Sequence, residues 1–181
     1  MKNLFNVPAY PAATVILMRD KNNFFEVLLL KRNSKLDFHG GHWVFPGGRI
    51  DQVDYQKAAP QNDEITAAKF AAARETFEES GLSIKTKDLV LMSQWTTPPG
   101  YPKRFKTWFF LSCAPKGQVK IDNQEIKDFQ WYSPEKALDA NNQKIIHLPV
   151  PTYYTLESLT SFSSSQEALT HYSLNQPVNY G

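Results

Sequence analysis

The segment that most constrains this chain is residues 74–82, Arg-Glu-Thr-Phe-Glu-Glu-Ser-Gly-Leu, whose pattern predicts a helix. At about 100° per residue in an α-helix, its glutamates Glu75, Glu78 and Glu79 lie within an arc of about 100°. Like charges at this spacing destabilise a helix by roughly 0.2–0.5 kcal/mol per pair, and Arg74 is spaced to pair with Glu78. The pattern therefore predicts a cation-binding face, with a solvated acidic face as the ordinary alternative.

The opposite side of the same helix is apolar. Phe70, Ala73 and Phe77 lie there, so we expect this side to pack against a hydrophobic core. Such a helix would lie at the surface of a folded domain, with its carboxylates directed away from the core.

A glycine-rich turn upstream of the helix supplies further oxygen atoms. Residues 43–45 form a short apolar run that ends in Pro46, Gly47 and Gly48. Glycines allow the main chain to approach another group closely. The Gly47 carbonyl oxygen and the carboxylates of the following helix would form an all-oxygen site suited to a hard divalent ion such as Mg²⁺.

The two segments together resemble the Nudix box, the sequence motif of the Nudix hydrolase family. The box begins with a glycine, followed after five residues by a glutamate and after seven more by Arg-Glu-U-x-Glu-Glu-x-Gly-U, where U is aliphatic. Gly48 is similar to the opening glycine, and residues 74–82 match the second half in register, with Thr76 at the first aliphatic position. The resemblance implies an α/β fold of the Nudix type, an α/β/α sandwich with a mixed sheet between helices.

The box of this chain is 12 residues longer than the family pattern. Counting back from Arg74 places Thr66 where the family has its first glutamate, and the nearest acidic residue is Glu64. We interpret residues 49–65 as a polar insertion that forms a surface loop, because it contains turn-forming proline, asparagine and aspartate residues.

An interrupted box is similar to that of a Nudix subgroup, some members of which cleave coenzyme A and its thioesters. Residues 28–32 and 148–152 resemble segments of that subgroup. The coenzyme A signature is matched loosely, with Asn33 and Leu36 where a small residue and an arginine are expected. The resemblance implies hydrolysis of a pyrophosphate bond in a nucleoside diphosphate linked to another moiety. Coenzyme A or acyl-coenzyme A is one substrate class, and ADP-ribose, other nucleotide sugars and dinucleotides are the alternative.

The resemblance also implies which residues bind metal. Glu75, Glu79 and the Gly47 carbonyl would hold Mg²⁺, with Mn²⁺ as a substitute, and Glu78 would share a second ion or hold water. Arg74 would orient the glutamates.

Further roles are expected outside the box. Glu125, which precedes an apolar run, is the candidate general base, with an ordinary surface glutamate as the alternative. Contacts to phosphates and stacking on a nucleobase are expected from a scattered set of basic, glycine and aromatic residues. These are Arg32, Gly48, Lys103, Arg104, Trp95, Tyr101 and Phe105.

Composition suits one domain over residues 1–181, because an apolar content of 41% is enough for one core. The net charge of +2 is too small to predict nucleic-acid binding and suits an anionic small-molecule substrate. No apolar run reaches the length of a membrane span, and residues 1–10 lack the apolar stretch of a signal peptide. Cys113 is the single cysteine, which fits a reducing compartment. We expect a cytoplasmic enzyme, and a homodimer is compatible with the resemblance.

Apolar patterning predicts the remaining elements. Strands are expected at residues 12–18, 25–30, 43–45, 88–95, 105–113 and 126–132. Ser133 followed by Pro134 predicts a helix start. Residues 152–172 have helical periodicity and are expected to pack on the domain, whereas residues 175–181 are expected to be frayed. This order suits a mixed sheet between helices.

Three other classes of site or function were compared with this interpretation. A nucleotide-binding module without catalysis is favoured by Thr66 and opposed by the three helical glutamates. An interaction protein would dock its acidic helix on a basic partner. A zinc site is disfavoured because His147 and His171 are remote in sequence from His39 and His42, and one cysteine is present.

Overall fold

The computed structural model describes residues 7–36, 39–60 and 63–181, which form an eight-stranded sheet between two layers of helices. The strands are β1 (Ala9–Lys21), β2 (Phe24–Arg32), β3 (Trp43–Val44), β4 (Gly47–Arg49), β5 (Val90–Thr96), β6 (Arg104–Cys113), β7 (Ile126–Tyr132) and β8 (Val178–Tyr180). The helices are α1 (Gln52–Ala58), α2 (Glu64–Ser80), α3 (Pro134–Asn142), α4 (Val150–Leu159) and α5 (Ser165–Leu174). In these ranges, no helix combines the length and apolarity needed to cross a bilayer.

The sheet is mixed and opens between β1 and β2. Residues 18–21 of β1 pair antiparallel with residues 24–27 of β2, with Met18 opposite Val27 and Lys21 opposite Phe24. Beyond this hairpin, β1 pairs with β4 and β2 pairs with β3. On its other edge β1 runs parallel to β6. The Gly47–Arg49 strand therefore lies in the opening between the two long strands.

Both faces of the long strands are buried, because alternate residues enter two separate hydrophobic clusters. In β1, Ala13, Val15 and Leu17 pack with residues of α1 and α2. Ile16 and Met18 pack with residues of α3, α4 and α5. The predicted α/β/α sandwich with a mixed sheet is confirmed.

The helix that carries the glutamates has well-defined ends. Asp63 accepts the Thr66 N–H at 2.8 Å and so caps the start of α2. Gly81 follows the last turn with a φ of 70°, the left-handed conformation that glycine adopts without steric cost. The buried stripe of α2 consists of small residues and one glutamate: Ala67, Ala68, Ala71, Ala72, Thr76, Glu79 and Ser80.

The expectation that Phe70, Ala73 and Phe77 form the core-facing side of α2 is wrong for Phe77, whereas Phe70 packs against the edge of the hydrophobic cluster under α2. Phe77 is 57% exposed, and the other two residues are partly buried. Alanines let the helix lie close to the sheet, which rings of this size would prevent. Because the alanine side of α2 faces the sheet, Glu79 lies in the interface between helix and sheet, where it is 5% exposed.

The expected surface loop at residues 49–65 is wrong in part, because this segment contains α1. Asp54 and Ala58, four residues apart on α1, are both buried, as is Ile50 before the helix. The helix therefore has an inward face that packs against α2, and α2 itself begins at Glu64.

The end of the chain adds two helices and a strand to the domain. α4 and α5 contribute Leu156, Leu159 and Ala168 to the second hydrophobic cluster. β8 pairs parallel with β5, and the Tyr180 ring stacks on Trp95 with 3.8 Å between ring centres. The expectation that residues 175–181 are frayed is therefore wrong for β8, because main-chain pairing and ring stacking hold it.

A matched pair of leucine truncations tests the packing of the C-terminal helices. Leu156 is fully buried, whereas Leu174 is 80% exposed. Leu156→Ala should lower the free energy of unfolding by about 2–5 kcal/mol, because it leaves a cavity in the core. Leu174→Ala should change it by less than about 0.5 kcal/mol. Urea unfolding followed by circular dichroism measures both, and equal losses would contradict the packing of α4.

Candidate metal centre

Glu79 lies where α2 meets β4. Its carboxylate accepts the Gly47 N–H at 2.9 Å, and Arg32 Nη1 is 3.8 Å from Glu79 Oε1. Burial raises the pKa of Glu79 to about 8. The Gly47 N–H and Arg32 oppose this rise in pKa, while the charges of Glu75 and Glu125 increase it. The positive charge near Glu79 is thus too weak to keep this carboxyl at its ordinary pKa.

Glu75 lies one turn earlier, against Gly48. A Cβ at position 48 would overlap the Glu75 carboxyl group, so glycine at this position lets that carboxyl group lie directly against the strand. Burial raises the pKa of Glu75, Arg74 opposes the rise, and the charges of Glu78 and Glu125 add to it. Glu75 and Glu79 therefore both have too little positive charge nearby to keep their ordinary pKa values.

Arg74 connects α1 to the carboxylates of α2. Its Nη1 donates to Glu75 at 2.8 Å and to Glu78 at 3.3 Å. Its Nε and Nη2 donate to Asp54 at 3.2 and 2.8 Å. Asp54 is fully buried and also accepts the Asp51 N–H at 2.9 Å. Arg74 is thus held on one side by Asp54 and contacts two glutamates on the other.

Asp54 is a site residue that the sequence-based predictions missed. Counted forward from Gly48, it falls at the position of the first acid of the box, so the added residues follow it. Counting back from Arg74 crosses the insertion and loses this register. Glu64, the nearest acid by that count, instead pairs with Lys106 at 2.6 Å. Counting from the glycine end of the motif would have found Asp54.

Arg32 and Glu125 reach the carboxylates from the other side of the sheet opening. Arg32 ends β2 and pairs with Ile126 at the start of β7, which places Glu125 beside it. Arg32 Nη2 is 4.0 Å from Glu125 Oε2, and the Glu125 side chain is 60% exposed. The structure thus brings the candidate base next to Arg32, in a position that water can reach.

Two predicted substrate residues have packing contacts. Arg104 donates to the carbonyl oxygens of Thr97 at 2.9 Å and Val7 at 2.8 Å. One face of Trp95 is covered by Tyr180. A nucleobase would have to displace that tyrosine ring from this face.

The remaining predicted substrate residues surround the start of β6. The Lys103 ammonium group is 5.4 Å from the centre of the Phe105 ring, and Tyr101 is 56% exposed. A role in substrate recognition stays a prediction for these residues and for Trp95 and Arg104.

Three histidine rings lie together beside β3, with 5.3 Å between the ring centres of His39 and His42 and 6.1 Å between those of His42 and His147. His147 is remote from the other two in sequence but close to them in space, because the Trp43 N–H donates to the His147 carbonyl oxygen at 2.9 Å. Burial, together with the charges of His42 and Arg32, lowers the pKa of His39 to about 4.

The residues around Glu75 and Glu79 fit a divalent ion by their chemistry and not by a preformed cluster of ligands. Over the described ranges, no three His, Cys, Asp or Glu side chains are arranged to hold a metal ion. Mg²⁺ commonly takes one or two protein carboxylates and completes its shell with water and substrate phosphate oxygens, so such a cluster is not needed. The carboxyl groups of Glu75 and Glu79 are desolvated and have raised pKa values, and oxygen donors of this kind fit this ion.

Comparison with known proteins agrees with this geometry. Residues 9–150 match the NUDIX domain. The chain belongs to the Nudix hydrolase family. It is 25% identical over 234 residues to the acyl-coenzyme A diphosphatase NUDT19 of Xenopus laevis, with 79% of this chain and 62% of that protein covered. The human protein of the same name is 39% identical over 75 residues, which cover 40% of this chain and 20% of the human protein.

The Nudix chain spans about six tenths of the length of relatives it matches, 62% for the Xenopus protein and 60% for a relative from Caenorhabditis elegans. Among solved structures it is similar to a NUDIX hydrolase of Alicyclobacillus acidocaldarius, with a TM-score of 0.83 and 23% identity. That similarity covers 94% of this chain and all of the other, and it shows that the fold is shared.

The buried contact between α1 and α2 can be tested by removing one charge. Asp54→Asn should lower the free energy of unfolding by about 2–4 kcal/mol, because Arg74 loses its buried partner. Asp51→Asn is the matched control, since Asp51 is 59% exposed and 3.6 Å from Arg74 Nη2. A double-mutant cycle with Arg74→Met should give a coupling of about 1–3 kcal/mol for Asp54. Equal losses for both asparagine variants would contradict the assignment.

The raised pKa of Glu79 predicts how stability depends on pH in protein stripped of metal by a chelator. The unfolded state ionises Glu79 near its ordinary pKa and the folded state does so near 8, so stability should fall as pH rises between these values. The slope should approach about 1 kcal/mol per pH unit. Glu79→Gln should flatten this dependence, whereas Glu157→Gln, at an exposed position, should preserve it. Urea unfolding at a series of pH values measures the slope, and an unchanged slope in Glu79→Gln would refute the prediction.

Proposed function

We propose that the protein hydrolyses a pyrophosphate bond in a nucleoside diphosphate linked to another moiety, with Mg²⁺ held by Glu75, Glu79 and the Gly47 carbonyl. The supporting observation is that burial raises the pKa of both carboxyl groups while Arg32 and Arg74 only partly compensate. A divalent ion would supply the missing positive charge, and Mn²⁺ would substitute for Mg²⁺ at oxygen ligands.

Different residues of the chain have different roles in the proposed reaction. When bound, Mg²⁺ would neutralise charge on the diphosphate and lower the pKa of the attacking water. Arg74, anchored by Asp54, keeps Glu75 and Glu78 in position. Glu125 takes a proton from the water as the new O–P bond forms. The bond from that phosphorus to the bridging oxygen breaks, and the second phosphate leaves with the rest of the substrate.

The substrate-facing residues of the proposed site are Arg32 and Gly48. Arg32 lies between Glu79 and Glu125, where its guanidinium can pair with a phosphate oxygen of the bound diphosphate. Gly48 has no side chain to obstruct the approach of the diphosphate to Glu75. Both positions lie at the sheet opening, so the scissile bond is proposed to lie there as well.

Acyl-coenzyme A or coenzyme A is the proposed substrate class. The support is the name of the Xenopus and human relatives, acyl-coenzyme A diphosphatase, together with the interrupted box. ADP-ribose, another nucleotide sugar or a dinucleotide is the second candidate, because Asn33 and Leu36 depart from the coenzyme A signature. A nucleotide-binding module without catalysis is the alternative of another class.

Glu79→Gln tests the metal assignment directly. It should lower kcat/KM in the presence of Mg²⁺ by about 100-fold or more, since even outer contacts of metal ligands are worth 10- to 100-fold. The amide can still accept the Gly47 N–H, so the fold should be retained. Glu157→Gln is the control for loss of one carboxylate and should keep wild-type activity.

The substrate class is tested with coenzyme A, acyl-coenzyme A, ADP-ribose, NADH and dinucleoside polyphosphates, with products identified by mass spectrometry. The proposal expects the highest kcat/KM on coenzyme A or its thioesters. Undiminished turnover by Glu79→Gln would reject the metal assignment. Absence of turnover by the wild type on every compound would favour the binding module.

A further inference from the structure

An open surface depression of about 340 Å³ lies beside the N-terminal half of α2 and is lined by three lysines. We call it the lysine pocket; its lining residues are Lys57, Thr66, Lys69, Phe70, Thr86 and Lys87. Lys69 precedes Glu75 by six residues and Glu79 by ten, which correspond to about 9 and 15 Å along the helix axis. The lysine pocket therefore shares no residue with the candidate metal centre and lies away from it.

The three lysines come from three separate elements. Lys57 lies on α1, Lys69 on α2, and Lys87 in the 3₁₀ turn Thr86–Asp88 before β5. In the part of the chain that the structure describes, the ion pairs within 4 Å involve none of these ammonium groups. Lys106 differs from them, since it pairs with Glu64 at 2.6 Å. Folding thus gathers positive charges from distant sequence positions around one concave surface without pairing them to carboxylates.

The other lining groups restrict the chemistry of a ligand. Phe70 is partly buried and lines the depression, where its ring can pack against a planar apolar group. The Thr66 hydroxyl donates to Asp63, which leaves Thr86 and the lysines as donors to a ligand. Each ammonium group provides three N–H donors and acts as a point charge toward phosphate.

We propose that the lysine pocket binds a nucleoside phosphate at a site separate from the hydrolytic centre. Its three ammonium groups pair with the phosphates, and Phe70 packs against the base. The volume of the depression lies within the range of small-molecule sites. This assignment does not depend on the proposed hydrolysis, because no residue of the metal centre takes part in it.

Amide chemical-shift changes in the wild-type protein locate the site without any substitution. ADP is added in the presence of EDTA, so that metal-dependent binding at the carboxylates is suppressed. We expect the largest shifts at Thr66, Lys69, Phe70 and Thr86, with inorganic phosphate shifting the lysine residues but leaving Phe70 unchanged. Shifts confined to Gly47, Gly48 and neighbouring residues, or no shifts, would overturn the proposal. Equal shifts of Phe70 with inorganic phosphate would reject the base contact.

A charge-matched pair of triple variants measures the contribution of the lysines. Calorimetry with ADP in EDTA should show a Kd raised by about tenfold or more for Lys57→Gln/Lys69→Gln/Lys87→Gln, since charged hydrogen bonds are lost. The control carries the same charge change at the exposed positions Lys21, Lys116 and Lys136, and it should keep the wild-type Kd. Equal Kd values for the two triple variants would contradict a specific site.

Two further measurements separate this proposal from the proposed hydrolysis. Thermal unfolding verifies that both triple variants are folded. Their Mg²⁺-dependent hydrolysis of the preferred substrate should have an unchanged kcat, because the candidate metal centre is intact. Loss of ADP binding with retained kcat supports a separate site, whereas parallel loss of both would show that the pocket serves the hydrolytic centre.

Discussion

The carboxylate of Glu79 lies against β4 because it accepts the Gly47 N–H at 2.9 Å while α2 packs closely on the sheet. Small residues on the buried side of the helix make this approach sterically allowed, and Gly48 leaves room for the Glu75 carboxyl group. The same closeness removes Glu79 from water and raises its pKa to about 8. The close packing that positions the Glu79 carboxylate thus also removes it from water, and a cation nearby would stabilise its charged form.

A second constraint fixes the remaining carboxylates through α1. Asp54 is buried and holds Arg74, and Arg74 in turn contacts Glu75 and Glu78. The added residues of the box lie between Asp54 and Arg74, where they lengthen the connection from α1 to α2. Because the entropy of closing a loop grows slowly with its length, such an insertion costs little stability and leaves the ion pair in place.

The sequence predicts the main strands and the layer order, because alternating and continuous apolar runs report burial on a sheet directly. It also predicts that Glu75, Glu79 and Gly47 meet, since their register in the motif is intact. The orientation of α2 is not predicted, because Phe77 is apolar yet exposed and alanines decide the packing. Asp54 is missed because the insertion separates it from Arg74, so that counting back from Arg74 gives the wrong position.

Contacts between distant parts of the chain are also not predicted from the sequence. The stacking of Tyr180 on Trp95 depends on β8 pairing with β5. No pattern in the sequence of either strand indicates this pairing. Arg104 binds two main-chain carbonyl oxygens, which no residue pattern reveals. Packing contacts of charged or aromatic residues near the end of a strand are thus harder to predict than contacts within a motif of fixed spacing.

Binding of Mn²⁺, followed by the electron paramagnetic resonance signal of the free ion, tests the central claim that the α2 carboxylates form a divalent-cation site. The wild-type protein should bind Mn²⁺, and Glu75→Gln/Glu79→Gln should weaken binding by about 100-fold or more, since each carboxylate supplies a direct ligand. A control with the same charge change, Glu135→Gln/Glu157→Gln, should bind like the wild type. Equal affinity of the wild type and Glu75→Gln/Glu79→Gln would contradict the account.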